Sequence, residues 1–165
     1  MKFGQAITHV LRNSLNFRGR ATRSEFWWFS LLMFLVYVAL FIMSSVGIAT
    51  SEDPQLWGLL AQVGSTGTMV WFLVTIIPVS AVWFRRLHDS NKSGWWYVFT
   101  IMTGFGGFVF VALSALQNEV AFTVGVVLEV ASGIGAIVLL IFALLPSTSG
   151  PNRFGEGSRS ASSDN

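Results

Sequence analysis

The sequence predicts an all-α integral membrane protein with four transmembrane helices arranged as two hairpins. Both chain ends are expected in the cytoplasm, and an N-terminal amphipathic helix is expected at the membrane interface. The 165-residue chain is 53% hydrophobic and only 11% charged, which is too apolar for an ordinary soluble domain. Four apolar runs are long enough to cross a bilayer, and every Lys and Arg falls on one side of the resulting topology.

Residues 1–25 form a basic N-terminal arm. Its apolar residues recur near a 3.6-residue period and predict a short helix lying on the inner leaflet: Phe3, Ile7, Val10, Leu11 and Leu15. Four arginines of the arm are expected to face anionic headgroups: Arg12, Arg18, Arg20 and Arg23. Thr22 and Glu25 have the spacing of a capping box, so Glu25 either caps the next helix or pairs with a basic loop.

The membrane domain is expected at residues 26–145, with spans at about 26–49, 63–84, 95–116 and 120–145. The first span holds 24 uncharged residues, or roughly 36 Å of helix. A cleaved signal peptide is the alternative for this run, but its apolar segment would be shorter and would follow fewer residues. Pro78 is expected to kink the second span. Small residues at 103–108 and 131–136 favour close packing of the third and fourth spans.

The basic residues set the predicted orientation. Residues 1–25 hold five Lys or Arg, residues 85–94 hold three and the tail after residue 145 holds two, whereas residues 50–62 and 117–119 hold none. The positive-inside rule then places both termini in the cytoplasm. Glu52, Asp53 and Glu119 fall on the opposite side. The last segment, 146–165, is a cytoplasmic tail that is expected to be disordered after about residue 155.

Tryptophans stand at the predicted cytoplasmic ends of the spans. These expected interface anchors are Trp27, Trp28, Trp83, Trp95 and Trp96. An indole is favoured at the headgroup level, and interface anchoring is therefore preferred to the alternative, a cation–π cage with Arg85 or Arg86.

Glu129 is the one ionisable residue well inside a predicted span. It lies nine residues after Val120, or roughly 14 Å along a helix, where charge is expensive. Two interpretations stay open: a protonated carboxyl that hydrogen-bonds a neighbouring helix, with Thr75 or Thr103 as partners, or a proton or cation relay.

The sequence contains none of the residue patterns of common catalytic or metal sites. It has no cysteine and only two histidines, which excludes thiolate chemistry and a histidine-rich metal site. Metalloprotease, nucleophile-elbow and phosphate-loop patterns are absent. We therefore expect no enzyme, no catalytic residue, no cofactor and no metal. The net charge of +2 is explained by topology and does not require nucleic acid.

Three stretches together resemble one family: NFRGRATRSEFWWF at 16–29, RRLHDSNKSGWW at 85–96 and GPNRFG at 150–155. They are similar to the bacterial inner-membrane family DUF805, a domain of unknown function. The resemblance implies a small multi-span protein of the bacterial cytoplasmic membrane and implies no established activity. The stretches place the family motifs on eleven positions: Arg20, Arg23, Glu25, Arg85, Arg86, His88, Asp89, Gly94, Trp95, Asn152 and Gly155.

On the predicted topology the three stretches meet at the cytoplasmic face as one polar cluster. Its expected members are Arg20, Arg23, Glu25, Arg85, Arg86, His88, Asp89, Asn152 and Arg153. We expect a binding or scaffold protein whose cluster engages anionic lipid headgroups or a protein partner, and neutralising Arg85 and Arg86 should then spare folding. The alternatives are a small proton- or ion-coupled transporter that uses Glu129, and a cluster that only staples the helices. A homo-oligomer is plausible from the small-residue faces.

Overall fold

A computed structural model describes residues 2–49, 54–114 and 119–155. Five α-helices account for most of this part of the chain: α1 (Phe3–Arg12), α2 (Arg23–Ala49), α3 (Pro54–Asp89), α4 (Trp95–Leu113) and α5 (Glu119–Leu144). Four of them, α2 to α5, are long and apolar enough to cross a membrane. The all-helical class and the presence of four helices capable of spanning a membrane are therefore confirmed. The predicted tail disorder, the turn at 117–118 and the charges at 52 and 53 lie outside the described residues.

The second membrane helix is longer than the span predicted within it. α3 holds 36 residues, or roughly 54 Å, and it includes Arg85, Arg86, His88 and Asp89, which the sequence had suggested for a loop. The helix continues because neither Gly nor Pro occurs between Pro78 and Gly94, and because cations are favoured near a helix C-terminus.

α3 ends in a Schellman motif. Asn91 has a left-handed backbone with φ of 57°. The Lys92 N–H donates to the Leu87 carbonyl at 2.8 Å, and the Asn91 N–H donates to the His88 carbonyl at 3.0 Å. The connection to α4 is consequently a short turn at residues 90–94.

The chain forms two compact units, and their boundary within α3 falls after Ala81. The first unit comprises Met1–Asn16 and Ser24–Ala81. In it, α1 buries Ala6 and Val10, and the Phe3 ring meets the Trp28 ring edge to face at 5.6 Å. Leu11 is exposed, so the buried face of α1 is narrower than its apolar pattern.

Glycines allow close helix approaches in the first unit. A methyl group on Gly64 of α3 would lie 2.5 Å from the Ser44 nitrogen of α2, and one on Gly67 would lie 3.0 Å from Leu40. The small residues in the polar first half of α3 are therefore explained by packing against α2.

The second unit comprises Phe17–Arg23 and Val82–Asn165. It contains the end of α3, all of α4 and α5, and the described part of the tail. A methyl group on Gly135 of α5 would lie 2.5 Å from the Thr100 hydroxyl of α4, and one on Gly125 would lie 2.8 Å from the Val111 nitrogen. The predicted tight packing of the third and fourth spans is confirmed.

Candidate functional site

A buried ionic network lies at the end of α3 and is centred on Asp89. The Asp89 carboxylate accepts hydrogen bonds from Arg20 Nε at 3.0 Å and from Arg86 Nη1 at 2.5 Å, and Ser147 donates to it as well. The side chains of Asp89 and Arg86 are 0% exposed, and that of Arg20 is 2% exposed. One carboxylate thus balances two guanidinium charges away from water. We call Arg20, Arg86, Asp89, Thr148 and Asn152 the Asp89 network.

Arg20 ties the tail to the segment that precedes α2. Its Nη1 donates to the Gly150 carbonyl at 2.7 Å. Its Nη2 donates to the Thr148 carbonyl at 2.5 Å and to the Thr148 hydroxyl at 2.9 Å. The Thr148 N–H in turn donates to the Asp89 carbonyl at 3.0 Å. All three guanidinium nitrogens of Arg20 therefore donate hydrogen bonds inside the protein.

Two arginines satisfy the carbonyl groups at the C-terminal end of α5. Arg86 Nε and Nη2 donate to the Ala143 carbonyl at 3.0 and 2.9 Å, and Nη2 also donates to Leu145. Arg23 donates to the Leu145 carbonyl at 3.0 Å and to the Leu144 carbonyl at 2.5 Å. The last carbonyls of a helix lack N–H donors within the helix and carry its negative dipole end, so arginines stabilise them both by hydrogen bonding and by charge.

The tail closes over the end of α3 as a small turn. Asn152 Nδ2 donates to the His88 carbonyl and to the Thr148 hydroxyl, both at 2.9 Å. The Phe154 ring stacks on the His88 ring with centroids 3.9 Å apart. Asn152 and Gly155 pair through two backbone hydrogen bonds of 3.0 Å, and Gly155 has a φ of 131° that favours glycine.

Most of the predicted polar cluster comes together in the second unit. Arg20, Arg23, Arg86, His88, Asp89, Asn152 and Arg153 all belong to the tail and its immediate neighbours. Glu25 belongs to the first unit instead. There its Oε1 lies 3.0 Å from His9 Nδ1 of α1, and Glu25 is 2% exposed. α2 begins at Arg23, directly after Thr22. Glu25 therefore occupies the N3 position of the predicted capping box.

The sequence suggested that Arg85 and Arg86 form part of a binding surface, but both side chains are buried. Arg85 is 3% exposed and Arg86 is 0% exposed. The guanidinium of Arg86 forms four hydrogen bonds within the protein, so we now expect neutralising Arg86 to destabilise the fold, against the expectation from the sequence. The Arg85 backbone carbonyl accepts the Ala21 N–H at 3.0 Å, which holds Ala21 beside the end of α3.

Other cations remain at the surface. Arg12 and Arg18 are exposed. Arg153 is exposed too, lying 4.7 Å from the Phe154 ring centroid. The polar side of α1 forms an open hollow of about 590 Å³. Its lining residues are Gly4, Gln5, Thr8, His9 and Arg12. These side chains can reach an anion at the surface without unpacking the protein.

The five tryptophans take different environments. Trp27, Trp28, Trp95 and Trp96 are all exposed, whereas Trp83 is partly covered and stacks on Tyr97 with centroids 6.0 Å apart. Exposure of four of the five fits interface anchors. The cation–π contacts seen in the described chain use Lys92 over Phe142 and Arg153 over Phe154.

Glu129 lies exposed on α5. Its carboxyl rests against α4, where a methyl group on Gly107 would come within 3.0 Å of Glu129 Oε1. The predicted partners are engaged elsewhere, because Thr75 donates to Trp71 and Thr103 donates to Phe99 within their own helices. Among residues 2–49, 54–114 and 119–155, no hydrogen-bond partner of the carboxyl is found.

Sequence reasoning missed three polar partners: His9, Ser147 and Thr148. The run SerThrSer directly after Pro146 was a signal, since hydroxyl residues there can bond local backbone, but it did not indicate Asp89. Over the described ranges, no three His, Asp or Glu side chains come close enough to hold a metal ion.

Comparison with known proteins decides the family. A family model described as "Protein of unknown function (DUF805)" matches residues 14–156. The chain belongs to this family. The DUF805 match includes every member of the Asp89 network, and it begins after α1. His9, which contacts Glu25, and the hollow along α1 therefore lie outside the family match.

Curated relatives of this DUF805 chain are named as inner membrane proteins. It is 32% identical to the inner membrane protein YhaI of Escherichia coli K12 over 146 residues, which cover 88% of each chain. It is 29% identical to YhaH of the same organism over 146 residues, covering 88% of this chain and 89% of the relative. No solved structure matches the chain significantly. Together with the four apolar helices, these relatives make this DUF805 member a membrane protein.

Proposed function

We propose that the protein is a binding or scaffold protein of the bacterial inner membrane that engages anionic lipid headgroups at its cytoplasmic face. Both termini lie in the cytoplasm in this proposal. Support comes from the one-sided distribution of all ten Lys and Arg and from the inner-membrane names of the relatives. The observation that carries the proposal is that some arginines are buried and hydrogen-bonded inside the protein, whereas others are exposed.

Buried arginines organise the face, and exposed arginines bind. Arg20 and Arg86 donate hydrogen bonds to Asp89 and to backbone carbonyls. These two guanidinium groups therefore stabilise the fold and are not available to bind a ligand. Arg12, Arg18 and Arg153 are exposed. Each basic residue near an anionic surface contributes about 1 kcal/mol of attraction.

Within the first unit, the hollow on α1 offers a shaped polar surface. Arg12 stands at one end of it, and Gln5, Thr8 and His9 line the rest. Arg12 and the Gln5 amide supply hydrogen-bond donors for phosphate oxygens, whereas the Thr8 hydroxyl already donates to the Gly4 carbonyl at 2.9 Å. The opposite side of α1 buries Ala6 and Val10, which holds the polar side in a fixed orientation.

The test is native mass spectrometry of the protein released from nanodiscs that contain phosphatidylglycerol and phosphatidylethanolamine. Wild type is compared with the double variant Arg12→Gln/Arg18→Gln. Losing two contacts of about 1 kcal/mol each should reduce retained phosphatidylglycerol by about 30-fold. Arg159→Gln removes a charge from the tail and serves as the control; it should retain lipid as wild type does.

Equal retention of the two lipids by wild type would contradict anionic lipid binding. Loss of binding in the control as strongly as in the double variant would indicate a general charge effect without a site. Retention of an acidic protein in place of lipid would redirect the proposal to a protein partner. A thermal melt of each variant checks folding, which we expect to be unchanged by substitution of the exposed residues Arg12 and Arg18.

Ion-coupled transport through Glu129 is the second candidate and has weaker support. A proton relay needs a second titratable or hydrogen-bonding group as partner, and among the described residues this carboxyl makes no hydrogen bond. Proton flux in liposomes that disappears with Glu129→Gln would nevertheless establish transport.

A further inference from the structure

Glu129 has an environment that the headgroup proposal does not use. It is the only charged residue in the four predicted spans, and it is exposed on α5, one of the membrane-spanning helices. Its side chain lies flat on Gly107 of α4, where any larger residue would collide with it. An isolated charge in hydrocarbon is strongly disfavoured, so such a carboxyl is retained for contact with a partner.

The carboxyl stands in the middle of an exposed seam along α5. Six exposed residues follow one another at alternating steps of four and three: Phe122, Val126, Glu129, Gly133, Ala136 and Leu140. This spacing is the heptad repeat by which two helices pack along a common seam. Gly133 and Ala136 keep the seam shallow, and a methyl group on Gly133 would meet nothing within 4 Å. A second helix can therefore approach closely beside Glu129.

We propose that this seam binds the same seam of a second copy of the chain, with the two Glu129 carboxyls hydrogen-bonded to each other. A neutral carboxyl group carries one donor and one acceptor, so it is complementary to itself. All copies of a chain insert with the same topology, and a two-fold axis along the membrane normal places identical residues opposite each other. The chain's own spans offer no basic residue for an ion pair, so self-pairing satisfies both carboxyls without another protein.

Dimerisation is measured by energy transfer between fluorophores on full-length protein in phosphatidylcholine liposomes over a dilution series. Glu129→Leu should raise the dissociation constant about tenfold, or about 1.4 kcal/mol, the range of interhelical hydrogen bonds in membranes. Glu129→Gln keeps a donor and an acceptor and should stay within about threefold of wild type. Glu119→Leu, at the first residue of the same helix, is the matched control and should behave as wild type.

A second measurement keeps Glu129 intact. The chain has no cysteine, so Gly133→Cys and Ile134→Cys are clean reporters on neighbouring positions about 100° apart around the helix. Oxidation in the membrane should cross-link Gly133→Cys chains rapidly and Ile134→Cys chains slowly.

Three results would overturn the proposal. The first is a monomeric wild type at every dilution. The second is a Glu129→Gln variant as weak as Glu129→Leu, which would assign the seam to a partner helix that carries a basic residue. The third is equal cross-linking at the two cysteine positions. None of these results depends on lipid binding by Arg12 or Arg18, so failure here is distinguishable from failure of the proposed function.

Discussion

Replacing Asp89 by Asn tests whether the Asp89 network holds the second unit together. The substitution keeps the size of the side chain and removes its charge. Arg20 and Arg86 would then keep two guanidinium charges, 2% and 0% exposed, without the carboxylate that lies 3.0 and 2.5 Å from them. The asparagine amide would also point a donor at one of two groups that are themselves donors only.

The expected loss is large. Removing one partner of a buried ion pair costs about 3–5 kcal/mol, because the remaining charge is left in a medium that cannot solvate it. Here two charges lose the same partner, so we expect the upper half of that range. Ser147→Ala removes one neutral donor from the same carboxylate but leaves both arginines paired with it, and it should cost about 1.5–3 kcal/mol.

Reversible unfolding in mixed micelles with increasing dodecyl sulfate measures both variants. Tryptophan fluorescence reports the transition, since Trp83 and Trp96 pack on Tyr97 and Phe142 in the second unit. Glu119→Gln removes one acidic charge from the other end of α5 and should change the free energy of unfolding by less than about 0.5 kcal/mol. A loss below about 1 kcal/mol for Asp89→Asn would refute the reasoning and make Arg20 and Arg86 available for ligands again.

Three further outcomes are expected. Gly135→Val should destabilise the protein by about 1–3 kcal/mol in the same titration, because a Cβ there lies 2.5 Å from the Thr100 hydroxyl, whereas Gly133→Val at an open position should not alter folding. Phe154→Ala should remove the ring stacked 3.9 Å from His88, at a cost of about 0.5–1.5 kcal/mol, and should speed protease cleavage within residues 146–155. An impermeant maleimide should label Glu119→Cys in intact cells but Ser149→Cys only after the membrane is permeabilised; the reverse pattern would invert the proposed topology.

The four membrane helices were predictable because a bilayer imposes a length. A helix must hold about 20 apolar residues to cross it, and the sequence breaks its apolar runs at charged or turn-forming residues. The family was predictable as well, because three separated stretches carried it. The ends of α3 were harder to predict from the sequence. Arg85 and Asp89 look like loop residues by charge, yet nothing in the sequence before Asn91 ends the helix.

Burial of the arginines could not be predicted. Arg18 and Arg20 are two residues apart, and one is exposed while the other is buried. The difference arises because residues 147–152 fold back over Arg20. Those residues have no periodicity from which this contact could be predicted. The pairing of Glu25 with His9 is similar: it needs α1 to turn back on the start of α2, which depends on the irregular segment between them.

The arginine contacts at the end of α5 have a consequence for biosynthesis. Arg23 and Arg86 are synthesised well before the carbonyls they bind, which belong to residues 143–145. Until then two cations at the membrane surface lack their final acceptors. A nascent chain cut short before Ala143 would expose them together with Asp89. The packing of Arg23 and Arg86 at this end of the protein can therefore be completed only after α5 has been synthesised.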